Sequence, residues 1–326
     1  MIKMAFFDTK PYDKIWFDKL KDEYDIKIKY YESRLTRDSV VMAKDYDGVI
    51  AFVNDDIDKE TIDTMSQMNM KLIALRCAGY NNVDLKAAKG KIDVVRVPKY
   101  SPYAVAEHTI GLLLCLNRRI HRAYIRTKDF NFSLNGLTGF DLKGKTVGVV
   151  GTGKIGQVFI DICRGFGMKV LAYDIYPSME NVEYTDIDTL CANSDIISLH
   201  CPLTKETKHI INKDTISKMK QGVFILNTSR GALINSEHLA ESLKDGKIGG
   251  AALDVYEEES DIFFEDRSSE IINDDTLRIL LSMPNVLITS HQAFLTNEAL
   301  ENIARVTLEN IYSYFGKNTI TNKVEG

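Results

Sequence analysis

The sequence predicts an α/β protein of two domains with mostly parallel sheets, and three observations carry that reading. The chain has 326 residues, about twice the ~150 expected of one domain. Short β-like apolar runs alternate with amphipathic stretches along most of it, the order expected when helices pack on a parallel sheet. The proline-punctuated link Pro98-Lys99-Tyr100-Ser101-Pro102 separates two such alternating regions.

In the first region the β-like runs are 2–7, 26–30, 48–53, 72–75 and 94–97, with helix-compatible segments such as 13–21 and 59–68 between them. Ser101 followed by Pro102 resembles an N-cap with proline at the first helical position. From there the pattern predicts one long helix over 103–124, whose first half is almost wholly apolar and is expected to lie buried between layers or subunits. Residues 130–140, with Gly136 and Gly139 among aromatics, read as a loop. The second region starts at Lys145, with runs at 146–150, 169–173, 195–199, 223–227, 250–253 and 286–289 and helical segments between most of them. An amphipathic segment, 297–314, closes the chain, and periodicity alone leaves open which domain it packs on.

Composition narrows the function classes. Hydrophobic residues are 44% and charged residues 27% of the chain, a globular balance. Lys and Arg number 41 against 46 Asp and Glu, a net charge of -5, so a global basic footprint for nucleic acid is missing. The N-terminus reaches Asp8 too soon for a signal sequence, and the strongest apolar run, 110–116, is far shorter than the ~18 residues a membrane span needs. A cytoplasmic chain without nucleic-acid or membrane partners is expected. The five cysteines form no CxxC and read as reduced thiols. His108, His121, His209 and His238 share no ligand spacing and form no HExxH, so no metal is expected.

The strongest motif follows the run at 146–150. Gly151-Thr152-Gly153-Lys154-Ile155-Gly156 leads into a plausible helix, and each glycine has a reason: a tight turn at Gly151, close backbone approach to a pyrophosphate at Gly153, and helix–strand packing at Gly156. Backbone N–H groups at the helix start then face the phosphates. Asp174 ends the next strand, 18 residues after Gly156, where a carboxylate meets the adenosine ribose hydroxyls and repels an added phosphate. The combination points to a dinucleotide, NAD rather than NADP.

Four later strand ends carry polar residues: His200-Cys201-Pro202-Leu203-Thr204, Asn227-Thr228-Ser229-Arg230-Gly231, Asp254 with the acidic run Glu257-Glu258-Glu259, and Thr289-Ser290-His291. In open α/β sheets that edge binds ligands. Arg230 offers a planar donor fork suited to a carboxylate, against the blander reading of a structural ion pair. His291 has the protonation range of a proton shuttle, and an acidic neighbour would hold its ring. Glu259 is a candidate neighbour with Glu257 and Glu258 in competition, and His200 is a rival histidine.

These blocks, together with Cys77-Ala78-Gly79-Tyr80-Asn81-Asn82-Val83-Asp84, Val97-Pro98-Lys99-Tyr100-Ser101-Pro102 and Ser290-His291-Gln292-Ala293-Phe294, resemble the D-isomer-specific 2-hydroxyacid dehydrogenase family over nearly the whole length. The resemblance is nearest to the branch that interconverts pyruvate and D-lactate. It implies two Rossmann-like domains with a substrate cleft between them: residues 1–99 plus 297–326 as substrate domain and 100–296 as NAD-binding domain. It implies that Arg230 binds the 2-oxoacid carboxylate, His291 is the acid/base and Glu259 supports it. Substrate contacts are implied for the Ala78 and Gly79 backbone and for Tyr100, with Phe52 and Phe294 as further pocket candidates. The cofactor side is implied to comprise Gly151 to Gly156, Asp174, Cys201, Pro202, Thr228, Ser229 and Asp254. A homodimer through the cofactor domain and its long helix is also implied. The alternatives are a reductase of larger branched or aromatic 2-oxoacids, a relative acting on glyoxylate, hydroxypyruvate or phosphoglycerate, and an NAD-sensing corepressor without turnover.

Overall fold

The computed structural model describes residues 1–259 and 262–325. In chain order its elements begin β1 (Ile2–Phe6), α1 (Pro11–Leu20), β2 (Ile26–Tyr30), β3 (Gly48–Ala51), α2 (Lys59–Gln67), β4 (Leu72–Leu75), α3 (Leu85–Ala88) and β5 (Asp93–Val95). There follow α4 (Pro102–Arg118), α5 (Ile120–Lys128), β6 (Thr146–Val150), α6 (Lys154–Gly165), β7 (Lys169–Tyr173), β8 (Glu183–Tyr184), α7 (Ile187–Asn193) and β9 (Ile196–Leu199). The last are α8 (Lys213–Lys218), β10 (Val223–Asn227), α9 (Ser236–Lys244), β11 (Ile248–Leu253), α10 (Asp275–Ser282), β12 (Val286–Ile288) and α11 (Asn297–Lys317). Two compact units result, one of residues 1–101 with 294 onward and one of residues 102–293.

In the first unit five strands pair in parallel in the order β2-β1-β3-β4-β5. Helix α11 buries Ala304, Leu308 and Ile311 against Met4, Phe6, Phe17 and Leu72, a spacing of three and four that presents one helical face. The closing helix therefore packs on the first unit, the alternative that periodicity left open.

The second unit holds a seven-stranded parallel sheet, β12-β11-β10-β9-β6-β7-β8. Its strands are covered on both faces, as parallel sheets require. Val147, Val149, Leu226 and Ala252 pack with α4 and α6 through Ala106, Leu113, Phe159 and Ile160. Val150, Ile225, Ala251 and Leu253 face the opposite layer of Leu190, Leu239, Leu243 and Leu280. The alternation along β10 and β11 follows from the two-residue strand period.

The single long helix expected over 103–124 is corrected by the structure. It breaks at Arg119, which takes a left-handed backbone (φ 52°) between α4 and α5. The Asn117 amide holds both the N–H and the carbonyl of Phe140, at 2.9 and 2.8 Å, and a methyl on Gly139 would lie 2.5 Å from the Asn117 carbonyl oxygen. The end of α4 thus anchors the returning loop, a tertiary demand that overrides helix continuation. Among the described residues no helix is long and apolar enough to cross a membrane.

Candidate active site

In the sheet order, β6, β9, β10, β11 and β12 run parallel, so the segments that follow them leave from one edge. That topology gathers the glycine loop, His200, Arg230, the acidic run and His291 along the C-terminal edge, where such sheets bind ligands.

The glycine loop leaves β6 with Gly151 at φ 97°, a conformation that L side chains rarely adopt. A methyl on Gly151 would lie 2.6 Å from the Cys201 nitrogen, and one on Gly156 would lie 2.1 Å from the Gly151 carbonyl oxygen. Gly153, the N-cap of α6, has no atom within 4 Å of such a methyl and is exposed. The loop is therefore closed where it packs and open at the helix N-terminus, which fits a pyrophosphate. Lys154 and Ile155 open the first turn of α6.

Asp174 is tied to that loop. Its Oδ2 accepts from the Thr152 N–H at 2.6 Å and the Thr152 hydroxyl at 3.0 Å, and its Oδ1 accepts from the Tyr176 N–H at 2.8 Å. Tyr184 on the short strand β8 donates to the Thr152 hydroxyl at 2.9 Å. The sequence reading missed Tyr184, because a two-residue strand leaves no periodic signal.

Arg230, Glu259 and His291 follow β10, β11 and β12, which lie beyond β9 from the glycine loop. His291 is left-handed (φ 52°), with its Nδ1 2.7 Å from Glu259 Oε1. The other oxygen, Oε2, accepts from the Tyr256 N–H at 2.8 Å, so one carboxylate joins the acidic turn to the histidine. Geometry separates the three acids: Glu257 pairs with His209 and accepts from the Ser236 N–H, while Glu258 is exposed. The ring of Phe264 lies 5.8 Å from that of His291.

Arg230 follows β10 on a segment braced by its own polar groups. Asn227 donates its amide to the Arg230 carbonyl at 2.8 Å and accepts from the Ser229 N–H at 3.1 Å. The Ser229 hydroxyl donates to the Cys201 carbonyl at 2.7 Å, linking this segment to the one after β9, where the Pro202 carbonyl accepts from Thr207. The Arg230 guanidinium donates to the Ser229 carbonyl at 2.7 Å and stays partly exposed.

His200, the rival histidine, is half-buried, its ring packed on Phe159, its Nε2 2.8 Å from the Ser198 hydroxyl and its Nδ1 shut off from solvent. Burial pushes its pKa down to about 3, so it holds no proton to give near neutrality.

The sequence model described as D-isomer specific 2-hydroxyacid dehydrogenase, NAD binding domain, matches residues 110–293. The chain belongs to the D-isomer-specific 2-hydroxyacid dehydrogenases. A D-lactate dehydrogenase of Escherichia coli is 50% identical over 99% of this chain and 100% of its own length. The apo structure of D-lactate dehydrogenase from Escherichia coli superposes with a TM-score of 0.92 at 47% identity, covering 99% of this chain and 100% of that one. A D-2-hydroxyisocaproate dehydrogenase structure reaches 0.89 at 30% identity over the full length of both. NAD is the cofactor of this dehydrogenase chain.

Two residues expected on the dehydrogenase's cofactor side turn inward. Asp254 is fully buried, and its carboxylate accepts from the Gln292 and Ala293 N–H groups at 2.9 and 2.8 Å and from the Thr289 hydroxyl. Burial pushes this carboxyl up, but hydrogen bonds from His108, Thr289, Gln292 and Ala293 outweigh it and hold it below the usual range. The Thr228 hydroxyl lies 2.8 Å from that of Thr109 in α4.

Within the first unit of the dehydrogenase, Phe294 has Phe52 and Tyr100 as ring neighbours, at 6.4 and 6.2 Å. Phe52 is held from beneath: the buried Arg76 guanidinium lies 3.8 Å from its ring centroid, and Asp55 accepts its backbone N–H at 2.6 Å. Burial pushes the Asp55 carboxyl up to about 7. Ala78 and Gly79 follow β4, their carbonyls taken by Arg96 and the Cys77 thiol. Arg76 and Asp55 were missed because charges inside a unit leave no pattern in a single sequence. Among the described residues no cluster of three metal-binding side chains occurs.

Proposed function

We propose that the chain is a D-lactate dehydrogenase that reduces pyruvate with NADH and runs in reverse. The observation that carries this reading is the Glu259–His291 pair at the sheet edge that also bears Arg230, in a chain half identical end to end to an enzyme named for D-lactate. Arg230 binds the substrate carboxylate through its planar fork, which fixes the acid head and the carbonyl face presented. Glu259 accepts the Nδ1 proton of His291, so Nε2 is the nitrogen that gives a proton to the carbonyl oxygen during reduction and takes it back during oxidation. The Ala78 and Gly79 backbone and Tyr100 contribute further substrate contacts, and Phe52 and Phe294 bound the side-chain end of the substrate. The nicotinamide cofactor, when bound, supplies the hydride. Gly151 to Gly156 would hold its pyrophosphate and Asp174 its ribose, Cys201, Pro202 and Ser229 would form the wall of that site, and Thr228 and Asp254, turned inward, brace that wall from behind.

A homodimer in the cytoplasm belongs to the same reading. The five cysteines are free thiols, as a reducing compartment maintains. Tyr103, Ile120, Tyr124, Ile125, Phe130 and Phe132 are all exposed, a run of apolar side chains along α4, α5 and the following loop that a second copy would cover. Light scattering should give twice the monomer mass.

The decisive experiment is NADH oxidation by the purified protein with pyruvate, 2-oxoisocaproate and phenylpyruvate, followed by chiral analysis. Pyruvate should be the best substrate and D-lactate the product. A wide margin for the larger acids would move the reading to a reductase of branched or aromatic 2-oxoacids, and NADH binding without turnover would indicate a sensor.

A further inference from the structure

Two adjacent residues on α4, His108 and Thr109, each reach a different segment of the sheet edge. Thr109 is fully buried, and its hydroxyl donates to the Val105 carbonyl at 2.7 Å. A hydroxyl has one proton, so the 2.8 Å contact with Thr228 has Thr228 as donor. Thr228 lies two residues before Arg230 in the segment that follows β10. Thr109 therefore supplies the acceptor that fixes the start of the Arg230 segment.

His108 works on the other segment by the same logic. Its Nε2 is 3.2 Å from the Thr289 hydroxyl and 3.4 Å from Asp254 Oδ1. The Thr289 hydroxyl spends its proton on Asp254, so His108 Nε2 carries a proton and donates. Asp254 then accepts from Gln292 and Ala293 with its carboxylate, and its carbonyl accepts the His291 N–H at 2.7 Å. His108 thus closes the set of donors around the buried carboxylate that shapes the left-handed turn at His291.

We infer that this one turn of α4 is a positioning platform for the dehydrogenase reaction, with Thr109 setting Arg230 and His108 setting His291 against Glu259. The inference rests on the proposed roles of Arg230 and His291. It divides the two effects between neighbouring side chains: Thr109 governs substrate capture and His108 governs proton delivery. A buried donor or acceptor left alone shifts its segment, and a displacement of about 1 Å at a reacting group can cost up to about a hundredfold in rate.

The test uses the full-length protein with NADH and pyruvate, measuring kcat, KM for pyruvate and the thermal midpoint. Thr109→Val should raise KM for pyruvate by about tenfold with kcat changed far less, and Thr109→Ser should restore it. His108→Leu should lower kcat by about tenfold, as the ring loosens from Glu259, with KM changed far less. His108→Gln, which keeps a donor, should recover most of kcat, and His108→Met replaces the leucine variant if that one does not fold. Arg230→Gln and His291→Gln run alongside. If those two lose turnover while the α4 variants shift only the thermal midpoint, the platform is wrong and the site reading stands. Identical changes in KM and kcat for both α4 positions would overturn the division. If Arg230→Gln and His291→Gln keep full turnover, the site reading falls and the platform falls with it.

Discussion

Gly231 lies against Tyr256 with no room for a side chain: a methyl at Gly231 would sit 2.0 Å from both the carbonyl carbon and the oxygen of Tyr256. The contact is backbone to backbone, so no rotamer change relieves it. It presses the residue after Arg230 onto the turn whose N–H is capped by Glu259, and the two halves of the proposed chemistry share that seam.

Gly231→Ala should therefore cost more than an ordinary buried glycine substitution. Separating the two backbones displaces Arg230 relative to the acidic turn. We expect a stability loss of about 1–3 kcal/mol, typical of overpacking, together with a fall in kcat/KM for pyruvate well beyond what the stability change explains. Denaturant unfolding and steady-state kinetics on the same preparation check this, and a variant with normal kinetics would show that the seam yields elsewhere.

Cofactor choice tests Asp174. Its carboxylate faces the glycine loop through Thr152, and a ribose phosphate brought to the same place would meet like charge. The catalytic efficiency with NADH should exceed that with NADPH by more than about tenfold. Asp174→Ser should lower the NADH value and narrow the ratio. Preference of the unaltered enzyme for NADPH would remove Asp174 from the ribose.

Arg230 should behave as a substrate residue rather than a cofactor residue. Arg230→Gln should abolish most pyruvate reduction while NADH binding, followed by fluorescence, stays near normal. Arg230→Lys should recover only part of the activity, because an ammonium keeps the charge and loses the fork. Equal weakening of NADH binding and turnover would place Arg230 on the cofactor instead.

Acid stability tests the burial of His200. In the unfolded chain a histidine protonates near pH 6.5, whereas burial holds the folded ring down to about 3. Between those values the unfolded chain binds the extra proton, so stability falls as pH drops through that window. From pH 7 to pH 5 this amounts to about 2 kcal/mol. His200→Gln should remove that part of the acid slope in denaturant titrations at the two pH values. An unchanged slope would mean that the folded ring takes up protons freely.

What was legible in the sequence was what strand period and glycine chemistry write into it. The edge-forming runs at 146–150 and 223–227 coincide with β6 and β10, and the glycines at 151 and 156 are required by contacts under 3 Å. What was illegible depends on burial and on partners distant in sequence. His200 and His291 both follow strand-like runs, and only the fold shows that one ring packs on Phe159 and meets Ser198 while the other meets Glu259. Glu257, Glu258 and Glu259 are equivalent as letters until His209 engages the first. His108 and Thr109 looked like ordinary positions in an apolar helix, because their partners at 254, 289 and 228 are more than a hundred residues away. The break at Arg119 has the same origin, since Asn117 answers to Phe140 and not to its own helix.

The Glu259–His291 pair makes the sharpest statement about proton transfer. On the proposed roles, reduction needs a proton given to the carbonyl oxygen and D-lactate oxidation needs it taken back, and one imidazole serves both directions. The carboxylate 2.7 Å from Nδ1 holds the tautomer and the aim of the ring. Glu259→Gln lets the side chain turn either an oxygen or an N–H to the ring, so turnover should fall by about tenfold in both directions while NADH binding stays near normal. A fall in one direction alone would mean that the proton-transferring group differs between the two. His291→Gln should retain NADH binding and lose most turnover in both directions, because an amide cannot exchange a proton with the carbonyl oxygen. The order of damage is therefore fixed: the histidine variant is the poorer, and the glutamate variant keeps an imidazole whose aim has loosened. If Glu259→Gln turns over normally in both directions, the carboxylate does not position the ring.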